Sequence, residues 1–338
     1  MPDPVIPHLS SPLADSWART VDYVRVSVTD RCNYRCTYCM PEGGVKFMDS
    51  ARLLRYEETA RIINCFAGMG VRRIRLTGGE PLLRRQLHHL VAMIRQIPGI
   101  EDIAMTTNGH LLAQQAEEMV AAGLTRFNVS LDSLNADRFR EITRGGELNR
   151  VLDGIDKVIS LGAFPLKINM VVMPGFNTDE IVPMVQWAID KDVPMMVRLI
   201  EYMPFRQRDF QVYSADQMEM DLREHFELST FTGKRGGGPA QYLHVEGTRV
   251  DVGFIAPITR RFCSACNRVR LSADGRLRSC LAYENTPSLR DLLRAGASDV
   301  ELAHTIHQIV LAKPEGHGCA VTDAAPKPFE GYMSAVGG

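Results

Sequence analysis

The sequence predicts an α/β protein: an incomplete (β/α)6 TIM-like barrel followed by a smaller C-terminal α+β region. Strand-like and helix-like segments alternate through six units between 23 and 203, and the alternation ends near Arg206. Such alternation favours a parallel sheet with right-handed crossovers. A doubly wound open sheet fits it as well. The barrel is favoured because functional-looking residues follow nearly every strand, as they do at the catalytic face of a barrel.

The elements of the first part follow from hydrophobic period and residue type. The first strand, Y-V-R-V-S-V-T at 23–29, alternates and is rich in β-branched residues. Further strands are predicted at 72–77, 102–107, 126–132, 165–173 and 194–203. Helices are predicted at 56–68, 84–97, 111–122, 149–161 and 178–191.

The pattern changes after Arg206. The sequence there predicts a helix at 215–226, a glycine-rich connector at 233–239, a hairpin at 241–256 around Glu246-Gly247, and helices at 288–295 and 299–312. We therefore expect a flexible leader (1–21), the partial barrel (22–232) and a C-terminal region (233–338) that carries a second cysteine group and a Gly-Gly tail.

Composition and charge indicate a soluble globular protein of the cytoplasm. Hydrophobic residues make up 45% of the 338 residues and charged residues 23%. The net charge of −1 gives no bulk field that would attract nucleic acid or a membrane. We expect neither a membrane span nor a signal peptide, because no apolar run is long enough and the first residues lack the basic and apolar regions. Clustered cysteines in such a chain indicate metal binding more often than disulfides.

The densest chemical signal is the segment C-N-Y-R-C-T-Y-C, which contains Cys32, Cys36 and Cys39. A four-iron cluster takes one thiolate per iron, so three local ligands would leave one iron open to a small molecule. A zinc knuckle or three reduced thiols are the alternatives. Zinc sites usually pair two C-x2-C units, so the asymmetric spacing favours a [4Fe-4S] cluster.

This triplet, with Tyr38 just before the third cysteine, resembles the cluster loop of the radical S-adenosylmethionine (SAM) superfamily. The resemblance implies a six-unit partial barrel of the radical SAM type, with SAM bound at the open iron and cleaved to a 5′-deoxyadenosyl radical. It also implies SAM contacts by Tyr38, by Gly79 of T-G-G-E-P, by Ser130 and by Met203. A plain turn, a strand-end cap and a core methionine remain the alternatives for the last three.

A second group, with spacing C-x2-C-x13-C, consists of Cys263, Cys266 and Cys280. A zinc site with Cys319 or His317 as fourth ligand is the alternative. Two such triplets resemble the GTP 3′,8-cyclase family of molybdenum cofactor biosynthesis, in which a second [4Fe-4S] cluster leaves an iron open to the purine base. The segments T-T-N-G and R-L-I-E-Y-M-P and the terminal Gly-Gly match as well, over about 22–338. The leader carries Ala18-Arg19 where that family tends to have Gly-Arg.

Basic residues inside the strand patterns suit a triphosphate. Guanidinium groups bind phosphate oxygens bidentately, and a cation-lined lumen is costly unless an anion fills it. A single arginine more often lies on a solvated face, but that interpretation is poor for several basic residues that all lie inside apolar strand patterns. No Walker loop is present. The predicted GTP contacts are Arg25, Arg73, Arg75, Lys167, Arg198, Arg268 and Arg270, joined through the resemblance by Val269 and by Thr106 rather than Thr107.

The resemblance implies a lyase-class, SAM-dependent enzyme that converts GTP to (8S)-3′,8-cyclo-7,8-dihydroguanosine 5′-triphosphate, the first step of molybdenum cofactor biosynthesis. It implies an electron donor, transfer of the product to cyclic pyranopterin monophosphate synthase, and entry of Gly337 and Gly338 into the active site. A homodimer is left open. The rivals are a radical SAM peptide maturase with auxiliary clusters and a non-catalytic regulator with zinc in both cysteine groups.

Overall fold

Six parallel strands form the centre of one sheet in the computed structural model, which describes residues 12–203, 211–233, 236–282 and 287–317. They are β1 (Tyr23–Ser27), β2 (Arg73–Thr77), β3 (Asp102–Thr107), β4 (Arg126–Ser130), β5 (Leu166–Val172) and β6 (Met195–Glu201). Each pairs in parallel with the next along the chain. The six predicted strands are thereby confirmed, each within a few residues of its predicted bounds.

The helices that connect these strands are α1 (Tyr56–Gly68), α2 (Leu87–Arg95), α3 (Leu112–Ala121), α4 (Ala136–Thr143), α5 (Leu148–Ser160) and α6 (Ile181–Asp190). Five were predicted, and α4 was not. Its sequence is mostly polar, and only Phe139, Ile142 and Thr143 are buried. The available signal was Asn135, whose side chain accepts hydrogen bonds from two backbone N–H groups of the first turn and so caps the helix.

The C-terminal elements are α7 (Ala215–Arg223), β7 (Leu228–Thr230), β8 (Gln241–Val245), β9 (Val250–Ile255), β10 (Arg268–Leu271), β11 (Leu277–Arg278), α8 (Leu289–Arg294) and α9 (Asp299–Leu311). The antiparallel pairing of β8 with β9 confirms the predicted hairpin. The predicted helices are also present. The strands β7, β10 and β11 were not predicted, because each has at most four residues.

The C-terminal strands extend the sheet at both of its edges. The strand order is β11-β10-β1-β2-β3-β4-β5-β6-β9-β8-β7. β10 lies parallel to β1, and β9 lies parallel to β6. Within the described ranges β11 and β7 do not pair with each other, so the sheet stays open. The predicted α/β class with an incomplete parallel barrel is confirmed.

The apolar core lies between the outer face of the sheet and the helices. Val24 and Val26 of β1 are fully buried on that face, as are Ile62 and Phe66 of α1. Each such side chain contributes about 1.5–3 kcal/mol on burial. Since side chains alternate along a strand, the residue between the two valines, Arg25, faces the interior of the barrel.

The segment 12–21 differs from the predicted flexible leader. Leu13 is buried, and its N–H donates to the Met69 carbonyl at 3.0 Å. Ala14 and Thr20 form an antiparallel bridge that closes a tight loop. Short-range hydrogen bonds within 15–19 and packing against the end of α1 explain why a proline-flanked polar segment is ordered here. Residues 1–11 lie outside the described ranges.

The helices of the described ranges are short, and none of them has the length and apolar composition that a membrane crossing requires.

Ala18→Gly is expected to stabilise the protein by about 0.5–1 kcal/mol, since Ala18 has a φ of 59°, a left-handed conformation that glycine adopts without the steric cost of a Cβ. Urea denaturation of the cluster-free protein measures the change. The control is Ala295→Gly, at an exposed helix end with φ −80°, which should lose stability. A loss at Ala18 equal to that at Ala295 would contradict the prediction.

Candidate functional site

A single cavity of about 310 Å³ reaches both cysteine groups. Cys32, Cys36 and Cys39 follow β1 at the carboxyl ends of the parallel strands. Cys263 and Cys266 precede β10, whose first residue Arg268 pairs with Tyr23, the first residue of β1. The two groups therefore approach the cavity from opposite ends of the same strand pair. The four residues of β10, at about 3.3 Å per residue, correspond to a strand length of roughly 13 Å between the two ends.

Backbone contacts to α4 hold the first cysteine loop. Arg35 N–H donates to the Thr143 carbonyl at 3.0 Å, and Thr37 N–H donates to the Ile142 carbonyl at 2.9 Å. The Asn108 side chain lies 3.8 Å from the Cys32 sulfur. Burial raises the pKa of the Cys32 thiol to about 11. A thiol in such a place becomes a thiolate when a metal supplies the opposing charge.

The two glycines after β2 let their backbone pass directly against the cysteine loop. Gly79 N–H donates to the Thr29 carbonyl at 2.8 Å. A Cβ placed on Gly79 would lie 2.3 Å from the Arg31 carbonyl oxygen, which no side chain can tolerate. This close approach is the local reason for glycine at a position that lines the cavity.

Glu80 joins the loops that follow β2 and β3. Its carboxylate accepts hydrogen bonds from the Thr107 hydroxyl at 2.7 Å and from Asn108 N–H at 2.6 Å. The group is fully buried, and burial raises its pKa to about 7. The two threonines thereby take different roles. Thr107 is engaged by Glu80, whereas the buried Thr106 hydroxyl has no partner among the described residues and lines the cavity.

The four predicted SAM contacts, Tyr38, Gly79, Ser130 and Met203, all line the cavity. The Tyr38 hydroxyl donates to Asp132 at 2.8 Å, and the other oxygen of Asp132 accepts from Val171 N–H at 2.8 Å. Burial raises the pKa of Asp132 to about 6. The hydrogen bond to Asp132 thus orients Tyr38 and occupies its hydroxyl. The ring and backbone of Tyr38 are the parts that can contact a ligand.

Three arginines stand side by side on adjacent strands. In the parallel register Arg270 pairs with Arg25, and Arg25 pairs with Arg75. Neighbouring strands lie about 4.8 Å apart, and like charges placed opposite each other are unfavourable. Burial, followed by the charges of neighbouring arginines, lowers the pKa of Arg25 and lowers that of Arg270 to about 10. An anion between these side chains would remove the conflict.

The cationic character extends across the cavity. Arg198 and Arg268 also line it, and the carboxylates among its described lining residues are Asp132 and Glu201. Glu201 already accepts hydrogen bonds from the backbone N–H groups of the neighbouring segments. Burial, with Arg198 next in effect, lowers the pKa of the nearby Lys167 to about 6. The site therefore suits a ligand with several negative charges.

Several buried polar atoms lack a hydrogen-bond partner among the described residues and belong to side chains that line this cavity. They are the Tyr23 hydroxyl, Arg75 Nε, the Thr106 hydroxyl, Asn169 Oδ1 and Arg198 Nε. Each such atom costs about 1–3 kcal/mol while it stays unsatisfied. The set includes donors and acceptors on five strands, which fits a large polar ligand in the barrel.

Three predicted GTP contacts do not line the cavity with their side chains. Arg73 forms an ion pair with Asp22. Lys167 is buried two residues before Asn169 on the same inward face of β5, and its ammonium donates to the Tyr242 hydroxyl at 3.3 Å. Val269 is buried and alternates with Arg268 and Arg270 on β10, so its side chain points away from them.

The second cysteine group lies among cations. Burial alone would raise the pKa of Cys266, but the charges of Arg268 and Lys313 outweigh it and lower that pKa to about 7. A hydrogen bond with His317 lowers the pKa of Cys263. Both effects favour thiolates, the form that binds metal.

Among the described residues, no three His, Cys, Asp or Glu side chains are gathered around a position for a single metal ion. Sulfurs bound to one zinc would lie about 3.7 Å apart. Cluster ligands are spread over different irons. Cys319 lies outside the described ranges.

Sequence reasoning missed several residues of the site. Asn169 occupies an inward position on β5, where alternation within an apolar run was the only signal. Asn108 directly follows β3 and Asp132 lies two residues after β4, so polar residues near those strand ends could have been included. Arg19 and Lys313 reach the second cysteine group from distant parts of the chain, and the sequence holds no local signal for that contact.

Family models match most of the chain. The model of the Radical SAM superfamily matches residues 26–188, and the model named Molybdenum Cofactor Synthesis C matches residues 195–319. A curated GTP 3′,8-cyclase of Heliobacterium modesticaldum is 44% identical over 331 residues, which cover 96% of this chain and 100% of that protein. One of Listeria monocytogenes is 39% identical over 336 residues, with 96% and 99% covered.

A solved structure shares the fold. Streptococcus suis SuiB bound to S-adenosylmethionine aligns with a TM-score of 0.62 over 88% of this chain and 68% of that chain. The sequence identity is 15%, so the likeness concerns the fold alone.

The raised pKa of Glu80 leads to a pH prediction. The folded protein holds the Glu80 proton more tightly than the unfolded chain, so this stabilising contribution is complete below about pH 4.5 and is lost as the pH rises through about 7. Relative to Glu80→Gln, the wild type should therefore lose roughly 2–3 kcal/mol of unfolding free energy across that window. Urea denaturation of cluster-free protein at several pH values measures this. The exposed control Glu57→Gln should give a constant difference, and the same constancy for Glu80 would refute the prediction.

Proposed function

Because this chain belongs to the GTP 3′,8-cyclase family of the radical SAM superfamily, we propose that it converts GTP to (8S)-3′,8-cyclo-7,8-dihydroguanosine 5′-triphosphate. This is the first step of molybdenum cofactor biosynthesis. The observation that carries the proposal is the shared cavity: two cysteine triplets face it from opposite ends, and a row of arginines lies between them.

The residues at the two ends fit two [4Fe-4S] clusters. Cys32, Cys36 and Cys39 would hold the first cluster, and Cys263, Cys266 and Cys280 the second. When bound, the first cluster with SAM supplies the 5′-deoxyadenosyl radical that abstracts hydrogen from the ribose. Gly79 brings its backbone to the SAM site, and Tyr38, fixed by Asp132, lines that site with Ser130 and Met203.

The chain's own contribution to the reaction is binding, orientation and exclusion of water. Arg25, Arg75 and Arg270 would hold the triphosphate, with Arg198 and Arg268 adding charge at the same cavity. Bidentate guanidinium–phosphate pairs fix direction as well as position. The Thr106 hydroxyl, which has no other partner among the described residues, would donate to the ribose or a phosphate. Lys167, which lies on the inward face of β5 but does not line the cavity, would act through the field it shares with Arg198.

We infer the orientation of the substrate from this arrangement. The triphosphate lies along the arginine row, and the purine base extends toward the second cysteine group beyond Arg268. The ribose then lies nearer to the SAM side, where the radical must reach C3′. Positioning of this kind accounts for large rate effects without any covalent participation by the protein.

The remaining parts of the proposal concern partners and the chain end. We infer that an electron donor reduces the first cluster and that the product passes to cyclic pyranopterin monophosphate synthase. We infer a cytoplasmic location and leave a homodimer open. Gly337 and Gly338, expected to assist radical formation, lie outside the described residues.

Anaerobic reconstitution with iron and sulfide, followed by SAM, GTP and dithionite, tests the function. About eight iron atoms per chain are expected, four for each cluster, with 5′-deoxyadenosine formed only when GTP is present. SAM cleavage without dependence on GTP, or dependence on a peptide instead, would reject the cyclase and favour a maturase. Zinc without iron would reject both and favour a metal-binding regulator.

Arg75→Ala should weaken GTP binding by about 10–100-fold, because a charge-assisted phosphate contact contributes about 1.5–3 kcal/mol. The matched control is Arg73→Ala, two residues earlier on β2, where the side chain pairs with Asp22 and does not line the cavity. Its effect on GTP affinity should stay below about threefold. Calorimetric titration with GTP measures the affinity of both variants. Equal losses of GTP affinity would show that Arg25, Arg75 and Arg270 do not form the triphosphate site.

A further inference from the structure

Arg19 connects the N-terminal segment to the second cysteine group. Its Nη1 donates to the carbonyl oxygens of Cys263 at 2.8 Å and Glu315 at 2.7 Å, and its Nη2 donates to that of Pro314 at 2.6 Å. Its Nε donates to the Asp15 carboxylate at 2.6 Å. Four of the five guanidinium N–H donors are thus engaged.

The environment of Arg19 is that of an internal structural group. Its side chain is only 7% exposed, and that of Asp15 is fully buried. A buried guanidinium is tolerated when a counter-charge and hydrogen-bond acceptors surround it. Asp15 also accepts hydrogen bonds from the N–H groups of Trp17 and Arg19, so the loop that presents the arginine is itself fixed.

Lys313 makes a matching set of contacts from the other side. Its ammonium lies 3.4 Å from the Cys266 sulfur and donates to the carbonyl oxygens of Arg268 and Ser279, each at 2.7 Å. Lys313 is 3% exposed. Ser279 directly precedes Cys280. The two cations therefore contact the chain at, or next to, each of the three cysteines.

Apart from these two cations, a hydrogen bond between Cys263 and His317 and the pairing of Asn267 with Asp22 fix the second cysteine group. Cys263–Ala265 form one 3₁₀ turn without a buried residue. Arg19 supplies a donor to the Cys263 carbonyl from 244 residues away in the sequence. Lys313 supplies donors to the Arg268 and Ser279 carbonyls from 45 and 34 residues away. Loss of these partners would leave a loop with few contacts, which opens at a low free energy.

We propose that Arg19 and Lys313 are positioning residues that hold Cys263, Cys266 and Cys280 ready to receive the second cluster before any metal binds. The proposal rests on the proposed function insofar as that function places a cluster there. It gives the segment before the barrel a defined task, because Arg19 reaches the cysteine loop only when residues 12–21 are folded. Arg19 also fastens Pro314 and Glu315, which directly follow Lys313, through their carbonyl groups.

Arg19→Ala tests the proposal in the full-length chain by two readouts. In cluster-free protein, amide hydrogen exchange followed by mass spectrometry should rise about tenfold or more in peptides from 257–267 and 313–317. Exchange in the first cysteine loop, 31–40, should stay unchanged. After anaerobic reconstitution, iron should fall from about eight to about four atoms per chain, with the first cluster and its SAM binding retained.

The matched control is Arg72→Ala. The Arg72 side chain is 59% exposed and forms an ion pair with Glu101. This variant should therefore equal the wild type in amide hydrogen exchange and in iron content. Lys313→Met is the second test variant, since it keeps the apolar stem and removes the ammonium. It should raise exchange in 266–280 and lower iron in the same way, so the proposal stays testable if Arg19→Ala fails to fold.

Unchanged exchange at 257–267 together with full iron content in Arg19→Ala, or the equivalent result in Lys313→Met, would overturn the positioning role. The outcomes separate this role from the proposed function. If the wild type itself takes up only about four iron atoms, the second cluster is rejected. In that case the difference in amide hydrogen exchange between Arg19→Ala and Arg72→Ala is by itself the test of the positioning role.

Discussion

The parallel pairing of β10 with β1 is the constraint on which the site depends. It sets Tyr23 opposite Arg268 and Arg25 opposite Arg270. The first cysteine loop follows the C-terminal end of β1, and Cys263 and Cys266 precede the N-terminal end of β10. This one strand pairing therefore brings two cysteine groups that are over two hundred residues apart in the sequence to a common cavity. The same register places Arg25, Arg75 and Arg270 side by side, so the position of the two cysteine groups and the charge between them have one origin.

The mouth of the barrel is organised by buried polar groups rather than by apolar packing. Glu80 links the loops after β2 and β3, and Asp132 links Tyr38 to β5. Burial raises the pKa of both carboxyls, to about 7 and about 6. Each hydrogen bond in such a network contributes modestly, whereas leaving a buried group unpaired costs about 1–3 kcal/mol. The loops are therefore fixed together, and a ligand meets a cavity whose shape is already set.

The sequence was sufficient for the six central strands and the hairpin, because these depend on local period and turn residues. It also grouped the three cysteines of each triplet by their spacing, and all six line the cavity. It was insufficient where a residue's role depends on register or on distant contacts. Arg73 and Arg75 have the same local pattern, yet only three-dimensional placement pairs one with Asp22 and leaves the other at the cavity. Thr106 and Thr107 are likewise distinguished only by the hydrogen bond that Thr107 makes to Glu80. β10 was not predicted because it has only four residues, and α4 was not predicted because its few apolar residues gave too weak a period.

The strand order has a consequence for how the protein can be divided. The C-terminal region supplies β10 and β11 at one edge of the sheet and β9 and β8 at the other. A fragment that ended at 232 would expose the hydrogen-bonding edges of β1 and β6 at once, and β7 would lose its partner β8. Long unpaired edges invite association between chains. The barrel and the C-terminal region are thus joined as one folding unit, and shuffling of either part between relatives must preserve both edge pairings to give a monodisperse product.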